Sequence, residues 1–148
     1  MSEKIQPISN PELRKAMEAM HAGQNGREEQ MVTLNLLLIA NLLSPVNVMQ
    51  EPGEEAQVQF MLLSTEDGRA FLPAFTDLEQ LKLGFPDDKQ KTLVLTFADY
   101  ARMILQDNAA EGLVVNAFGA SLTLERPLVE FLDKVQQDQE KNAPPVVS

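Results

Sequence analysis

Near the start of the chain, apolar residues recur at the three- and four-residue spacing that places side chains on one face of a helix. These residues are Leu13, Ala16, Met17 and Met20. Asn10 and Pro11 are residue types that favour the beginning of a helix, and Gly23 is one that favours its end. The pattern therefore predicts a first helix that begins at Pro11 and ends near Gly23.

The next segment, from about Arg27 to Leu43, is apolar around most of the circumference of a helix. A helix of this kind must be buried on nearly all sides. Its predicted end is Ser44, because the residue before a proline avoids helical geometry and Pro45 follows. Two placements are open. The helix lies at the centre of the domain, or part of it lies at an interface with a partner or a second copy of the chain.

Alternating apolar residues predict short strands in the middle of the chain. Val46 and Val48 alternate, and the segment from Gln57 to Ser64 is apolar on both faces, which is typical of a strand inside a sheet. Residues 66–68 are a Glu-Asp-Gly hairpin signal, so the segment from Arg69 to Phe75 is predicted to return as the next strand.

The second half of the chain alternates between strand and helix patterns. Thr76 and Glu79 have the spacing of a capping box, which predicts a short helix that ends near Gly84. The further predicted elements are a strand at 93–96, a helix at 97–105, strands at 113–115 and 121–124, and a helix that begins at Pro127. This order predicts an α/β (mixed α+β) fold, with a mixed sheet of about five or six strands flanked by helices in a single domain.

The length of 148 residues suits one domain. We place its core at residues 27–135, after an N-terminal helical segment at 1–26. Residues 136–148 are polar and include two adjacent prolines, so this tail is predicted to be disordered.

Charge and composition narrow the classes of partner. The net charge of −10 disfavours nucleic acid and anionic membrane surfaces, whose binding depends on Lys and Arg. The most apolar run is about ten residues long, whereas a membrane-spanning helix needs about 20. Met1 to Ile8 lacks the apolar stretch of a secretory leader. We therefore expect a cytoplasmic protein that binds neither nucleic acid nor membranes.

Candidate catalytic chemistry is scarce in this sequence. The chain has no cysteine and one histidine, His21, whose position in the last turn of the first helix favours a surface or capping role. It has no nucleophile elbow, phosphate-binding loop or zinc-ligand spacing. The acid pairs at 54–55, 66–67 and 87–88 are interpreted as solvated loop residues. We therefore expect no enzyme activity, no catalytic residue, no metal site and no cofactor.

Two segments, GRAFLPAFTDLEQL at 68–81 and EGLVVNAFGASLTL at 111–124, resemble a known family. They are similar to the N-terminal domain of the bacterial enhanced serine sensitivity protein (SseB) family, over roughly residues 30 to 135. In that pattern a strand ends in a proline and a Phe-Thr, a helix follows, and a Gly-Val-Val-Asn-Pro-like strand comes later. Ala117 stands here where the family has the final proline. The resemblance implies a cytoplasmic bacterial protein and supplies no established biochemical activity.

Within this match, Asn116 and Phe118 are the candidate contacts for a ligand or partner. Asn116 has two interpretations: its side chain caps the turn after the strand, or it contacts a ligand at the end of a strand. The favoured function is a protein-interaction or adaptor module that binds an unidentified protein or a second copy of the chain. The alternative is a sensor that binds an amino acid or related metabolite, and an enzyme that uses carboxylates alone is the third hypothesis.

Overall fold

The computed structural model describes residues 8–24, 26–106 and 109–141, and this part of the chain forms five helices and seven strands. The helices are α1 (Pro11–His21), α2 (Arg27–Leu38), α3 (Leu78–Gly84), α4 (Phe97–Gln106) and α5 (Arg126–Lys141). The strands are β1 (Asn41–Met49), β2 (Gln57–Phe60), β3 (Leu63–Ser64), β4 (Ala70–Ala74), β5 (Lys91–Thr96), β6 (Gly112–Val115) and β7 (Leu122–Glu125).

The strands form two sheets that are joined at one point. One sheet has the order β2-β1-β5, and the other has the order β3-β4-β6-β7 with β4 and β6 parallel. Leu43 and Phe75 exchange two backbone hydrogen bonds of 2.9 Å and so connect β1 to the end of β4. The predicted mixed α+β class is confirmed, and the strands are divided between two sheets where the sequence suggested one.

The main core lies between the sheets and the helices α1, α2, α4 and α5. Leu13 and Met17 of α1 belong to it, so the N-terminal helix packs with the rest of the domain. Tyr100 of α4 is fully buried, and its hydroxyl donates to the carbonyl of Pro73 at 3.1 Å. This burial raises the pKa of the Tyr100 phenol.

The predicted second helix is too long. It ends at Leu38, and Leu42 and Leu43 lie in β1. Pro45 lies inside β1 because its position needs no N–H donor. Backbone groups point to alternate sides along a strand, so the backbone groups of Pro45 point to the same side as those of Leu43, away from β5. On that side Pro45 lies between Leu43, which bonds Phe75, and Val46, where the pairing with β2 begins, so no strand needs an N–H from it.

The placement of α2 at the centre of the domain is also wrong. Its buried residues are Thr33, Leu37 and Leu38, whereas Met31 and Val32 are at least half exposed. The helix lies against α1 and covers the core with one side only. An apolar strip is left on its outer side.

The segment from Gln57 to Ser64 was predicted to be an interior strand because it is apolar on both faces. This prediction is wrong. β2 is an edge strand that pairs with β1, and the two residues of β3 pair with β4 at the edge of the other sheet. The chain changes sheet at Met61 and Leu62. The predicted hairpin turn is confirmed, since Gly68 has a φ of 85° and the turn joins β3 to β4.

The last helix extends beyond its predicted end. The tail was placed from residue 136 onward, but α5 continues to Lys141. The Nε2 amide of Gln136 donates to the Leu38 carbonyl at the end of α2, at 3.0 Å. This bond attaches α5 to α2 and favours the extra turns of helix. Residues 142–148 of the predicted tail lie outside the described residues.

Candidate interaction site

The parallel strands β4 and β6 end side by side, and Asn116 lies directly after β6. Its φ of 53° is in the left-handed region, which asparagine tolerates better than most residues. Only 2% of the residue is exposed. Its Oδ1 accepts from the Thr76 backbone N–H and its Nδ2 donates to the Thr76 hydroxyl, both at 3.0 Å. This pair of bonds, here called the strand-end latch, ties the end of β6 to the end of β4.

Because of the strand-end latch, Thr76 is not the cap of α3. The cap is Asp77, whose Oδ1 accepts from the backbone N–H of Gln80 at 2.9 Å. The predicted capping box is therefore wrong by one residue. The Thr76 hydroxyl instead donates to the other oxygen of Asp77 at 2.8 Å, so that the latch and the cap form one network.

Arg14 of α1 lies at the outer side of this network. Its guanidinium donates to Glu79 at 2.9 Å and to Asp77 at 3.5 Å. The hydrogen bond that Arg14 donates to Glu79 is the main reason why the pKa of Arg14 is raised above its ordinary value. These polar groups are paired with one another, which indicates that the network holds α1 and α3 against the strand ends.

Phe118 is the second predicted site residue, and it is 46% exposed. Its ring is nearly parallel to that of the buried Phe75, with 6.1 Å between centroids, and meets Phe85 edge-on at 6.2 Å. Gly84 gives the ring its space, since a Cβ there would lie 1.9 Å from a Phe118 ring atom. The ring is thus held in one orientation, with part of its surface open to solvent.

Gln80 lies beneath the same loop. It is almost fully buried, and its Oε1 has no hydrogen-bond partner among the described residues. A Cβ at Gly119 would lie 2.4 Å from that oxygen, so the glycine closes the loop tightly over it. The acceptor faces protein and carries no accessible binding function.

A second apolar surface lies on the outer side of the α1–α2 hairpin and was not resolved by the sequence pattern. Its groove has a volume of about 270 Å³ and is lined by Ala16, Ala19, Glu28, Glu29, Val32 and Thr33. Met31 is 58% exposed, and Ile39 follows α2 two turns beyond Val32 along the same side of the helix. We call the groove together with Met31 and Ile39 the hairpin face.

Local contacts fix the two helices that form the hairpin face. The Thr33 hydroxyl donates to the Glu29 carbonyl at 2.8 Å and lies 3.2 Å from the sulfur of Met20 on α1. Ala16 and Ala19 have small side chains, so they leave the groove between the helices unfilled. The lining of the groove therefore combines two carboxylates with apolar side chains, and we call Glu28 and Glu29 the acidic rim of the hairpin face.

The remaining chemistry of the described residues is limited. The ring of His21 is exposed, and its Nε2–H donates to the backbone carbonyl of Ser121 at 2.7 Å. Within residues 8–24, 26–106 and 109–141, no three His, Cys, Asp or Glu side chains are grouped so as to hold a metal ion. No helix in these ranges is long and apolar enough to cross a membrane.

A protein-family model described as the SseB protein N-terminal domain matches residues 13–130. The chain belongs to this family. The match confirms the resemblance seen in the sequence, and it runs from α1 into α5, so that the SseB domain contains both the strand-end latch and the hairpin face. Nothing matches the chain among curated proteins or among solved structures.

Proposed function

We propose that this SseB-family domain is a non-enzymatic protein-interaction module of the bacterial cytoplasm that binds a helix on its hairpin face. The observation that carries the proposal is the exposure of Met31 and Val32 beside an apolar groove between two helices. Soluble monomers rarely leave contiguous apolar surface uncovered without a binding role. An apolar groove between helices suits the apolar stripe of a third helix.

The acidic rim specifies the kind of helix that fits. Glu28 and Glu29 line the groove, and the chain carries a net charge of −10. A partner with Lys or Arg beside its apolar stripe would be attracted to this edge, and an acidic partner would be repelled. The proposed partner is therefore an amphipathic helix with apolar residues on one side and basic residues next to them.

The side-chain bonds of Asn116 favour the interaction module over the sensor alternative. Asn116 was one of the two candidate contacts for a ligand or partner, and its Oδ1 and Nδ2 both bind Thr76 inside the domain. For the non-enzymatic part of the proposal, support comes from His21, the single histidine of the sequence, whose Nε2–H is used in a bond to the Ser121 carbonyl.

The test uses a synthetic amphipathic helix of leucine and lysine and a matched one of leucine and glutamate. Titrations are followed by NMR chemical shifts of the full chain. We expect the leucine–lysine peptide to shift signals of α1 and α2, and we expect Val32→Glu to weaken its binding at least tenfold. Leu83→Glu is the matched control, since Leu83 is an exposed apolar residue (56%) on a different helix, α3.

The substitution also separates the proposal from general attraction to an acidic protein. Val32→Glu adds a negative charge, so it would strengthen purely electrostatic binding of a basic peptide. Equal or tighter binding by the Val32→Glu variant would refute the proposal, and so would equal binding of the leucine–glutamate peptide.

A further inference from the structure

β5 is an edge strand whose outer side is open. It is six residues long and pairs only with β1 among the described strands. Thr92, Leu93 and Val94 are all exposed, Val94 by 51%. An edge strand of this length with exposed apolar side chains is a template for pairing with another strand.

The hydrogen bonds of β1 determine which groups of β5 are free. Leu43 directs its N–H and carbonyl to Phe75, away from β5, although it stands opposite Val94 in the register. Leu43 and Val94 are therefore a non-hydrogen-bonded pair, and the backbone groups of Val94 point to the open side. Those of Thr92, two residues earlier, point the same way.

The backbone of Thr96 confirms this direction. Its N–H lies on the same side as those of Thr92 and Val94, and it donates to Asp99 Oδ2 at 3.0 Å. The open edge thus offers the N–H and carbonyl groups of Thr92 and Val94, none of which bonds another described residue. It ends at the carboxylate of Asp99.

We propose that this edge pairs with the same edge of a second copy, antiparallel and centred on Leu93. A two-fold axis at Leu93 places Thr92 of each copy opposite Val94 of the other. Each of these two pairs exchanges two hydrogen bonds, so all free groups of the edge are used. The two Leu93 residues then face each other as a close non-hydrogen-bonded pair.

Charge complementarity is the reason to choose a second copy over an unrelated strand. β5 contains no acidic residue, Lys91 is its first residue, and Lys89 lies just before it. In the proposed register, position 90 of one copy lies opposite Thr96 of the other. Lys89 and Lys91 therefore come next to the Asp99 carboxylate of the second copy at each end. Asp87 and Asp88 precede the strand, and Asp88 is paired with Lys82 of its own chain at 3.3 Å, so pairing brings no acidic residues of β5 itself together.

The contact rests on one strand from each copy, which is small for a stable interface. We therefore expect a dimer that forms only toward high concentration, measured by sedimentation equilibrium of the full chain up to about 1 mM. Val94→Pro removes the outward N–H without touching the β1 ladder and should reduce dimerisation at least tenfold. Val94→Thr keeps the N–H and should leave dimerisation within about twofold.

A second measurement does not depend on that variant folding. In a mixture of isotope-labelled and unlabelled chains, an intermolecular NOE is expected between the Hα protons of the two Leu93 residues, because such pairs approach closely. Lys91→Glu, at an exposed position, should weaken the dimer through repulsion from Asp99. A monomer at about 1 mM would overturn the proposal. A dimer that lacks the Leu93 NOE would also overturn it, including one that forms through the hairpin face and is lost in Val32→Glu.

Discussion

Replacing Asn116 by alanine tests whether the strand-end latch stabilises the fold. The change removes two side-chain hydrogen bonds and leaves the buried N–H of Thr76 without its acceptor, which costs about 1–3 kcal/mol. Alanine at a φ of 53° adds about 1–2 kcal/mol of backbone strain, somewhat less relative to asparagine. We expect the free energy of unfolding to fall by about 2–4 kcal/mol in total, a large part of the 5–15 kcal/mol typical of a domain.

Urea unfolding at equilibrium measures this loss, with the slope checked to be unchanged. Asn116→Gly is the informative comparison, because glycine loses the same bonds but adopts the left-handed conformation freely. The glycine variant should be about 0.5–1 kcal/mol more stable than the alanine variant after its greater unfolded-state entropy is counted. If the free energy of unfolding of the alanine variant lay within about 0.5 kcal/mol of the wild-type value, the strand-end latch would not stabilise the fold.

Three further outcomes are expected from the structure. Tyr100 is the only tyrosine, and burial raises its pKa, so stability should fall as pH rises above the ordinary tyrosine pKa of about 10. Tyrosinate absorbance should then appear together with unfolding, and Tyr100→Phe should remove this pH dependence at a cost of about 1–2 kcal/mol. Truncation after Lys141 should leave the melting temperature unchanged, whereas truncation after Val135 should lower it, since the bond from Gln136 is lost. Leu38→Ala should cost about 2–5 kcal/mol in urea unfolding, and a cost below about 1 kcal/mol would contradict its place in the core.

The elements that local chemistry specifies could be predicted from the sequence. Pro11 begins α1 as expected, and Gly23 and Gly68 both have the positive φ that their turn signals imply. α4 follows its helical spacing of apolar residues, and Phe97, Tyr100, Ala101 and Ile104 are buried as that spacing implies. In each case the information lies within a few residues of the element.

The boundary between α2 and β1 could not be predicted because the residues on either side are equally apolar. Neither period dominates between Met31 and Leu43, and the strand forms there because β5 and the end of β4 pair with it. Pro45 was interpreted as a helix stop, yet it lies in a strand at a place where no ladder bond is needed. The alternation of Leu42, Ser44 and Val46 on one side of β1 was the signal available for a strand.

The candidate site could likewise be predicted only in part from the sequence. Phe118 and Asn116 were selected from a motif. The structure places the ring of Phe118 at the surface and the side chain of Asn116 inside the domain. Thr76 and Asp77 are both residue types that cap helices. The choice between them depends on Asn116, which is 40 residues away in the sequence from Thr76. Similarly, no local pattern shows which apolar residues of α2 are covered by other helices. The hairpin face could therefore be found only from the structure.

The two proposed surfaces lie on different elements, and this has a measurable consequence. Pairing through β5 leaves α1 and α2 free, so a dimer would present two copies of the hairpin face. A target that carries two helical segments on a linker of suitable length would then bind more tightly than a single segment, because the second contact forms within the complex. Val94→Pro should abolish this gain while it leaves the affinity for a single leucine–lysine helix unchanged. Val32→Glu should weaken both affinities, since it alters the hairpin face itself. If Val94→Pro weakened the single-helix contact as well, the two surfaces would not be independent, and the hairpin face would be part of the dimer contact.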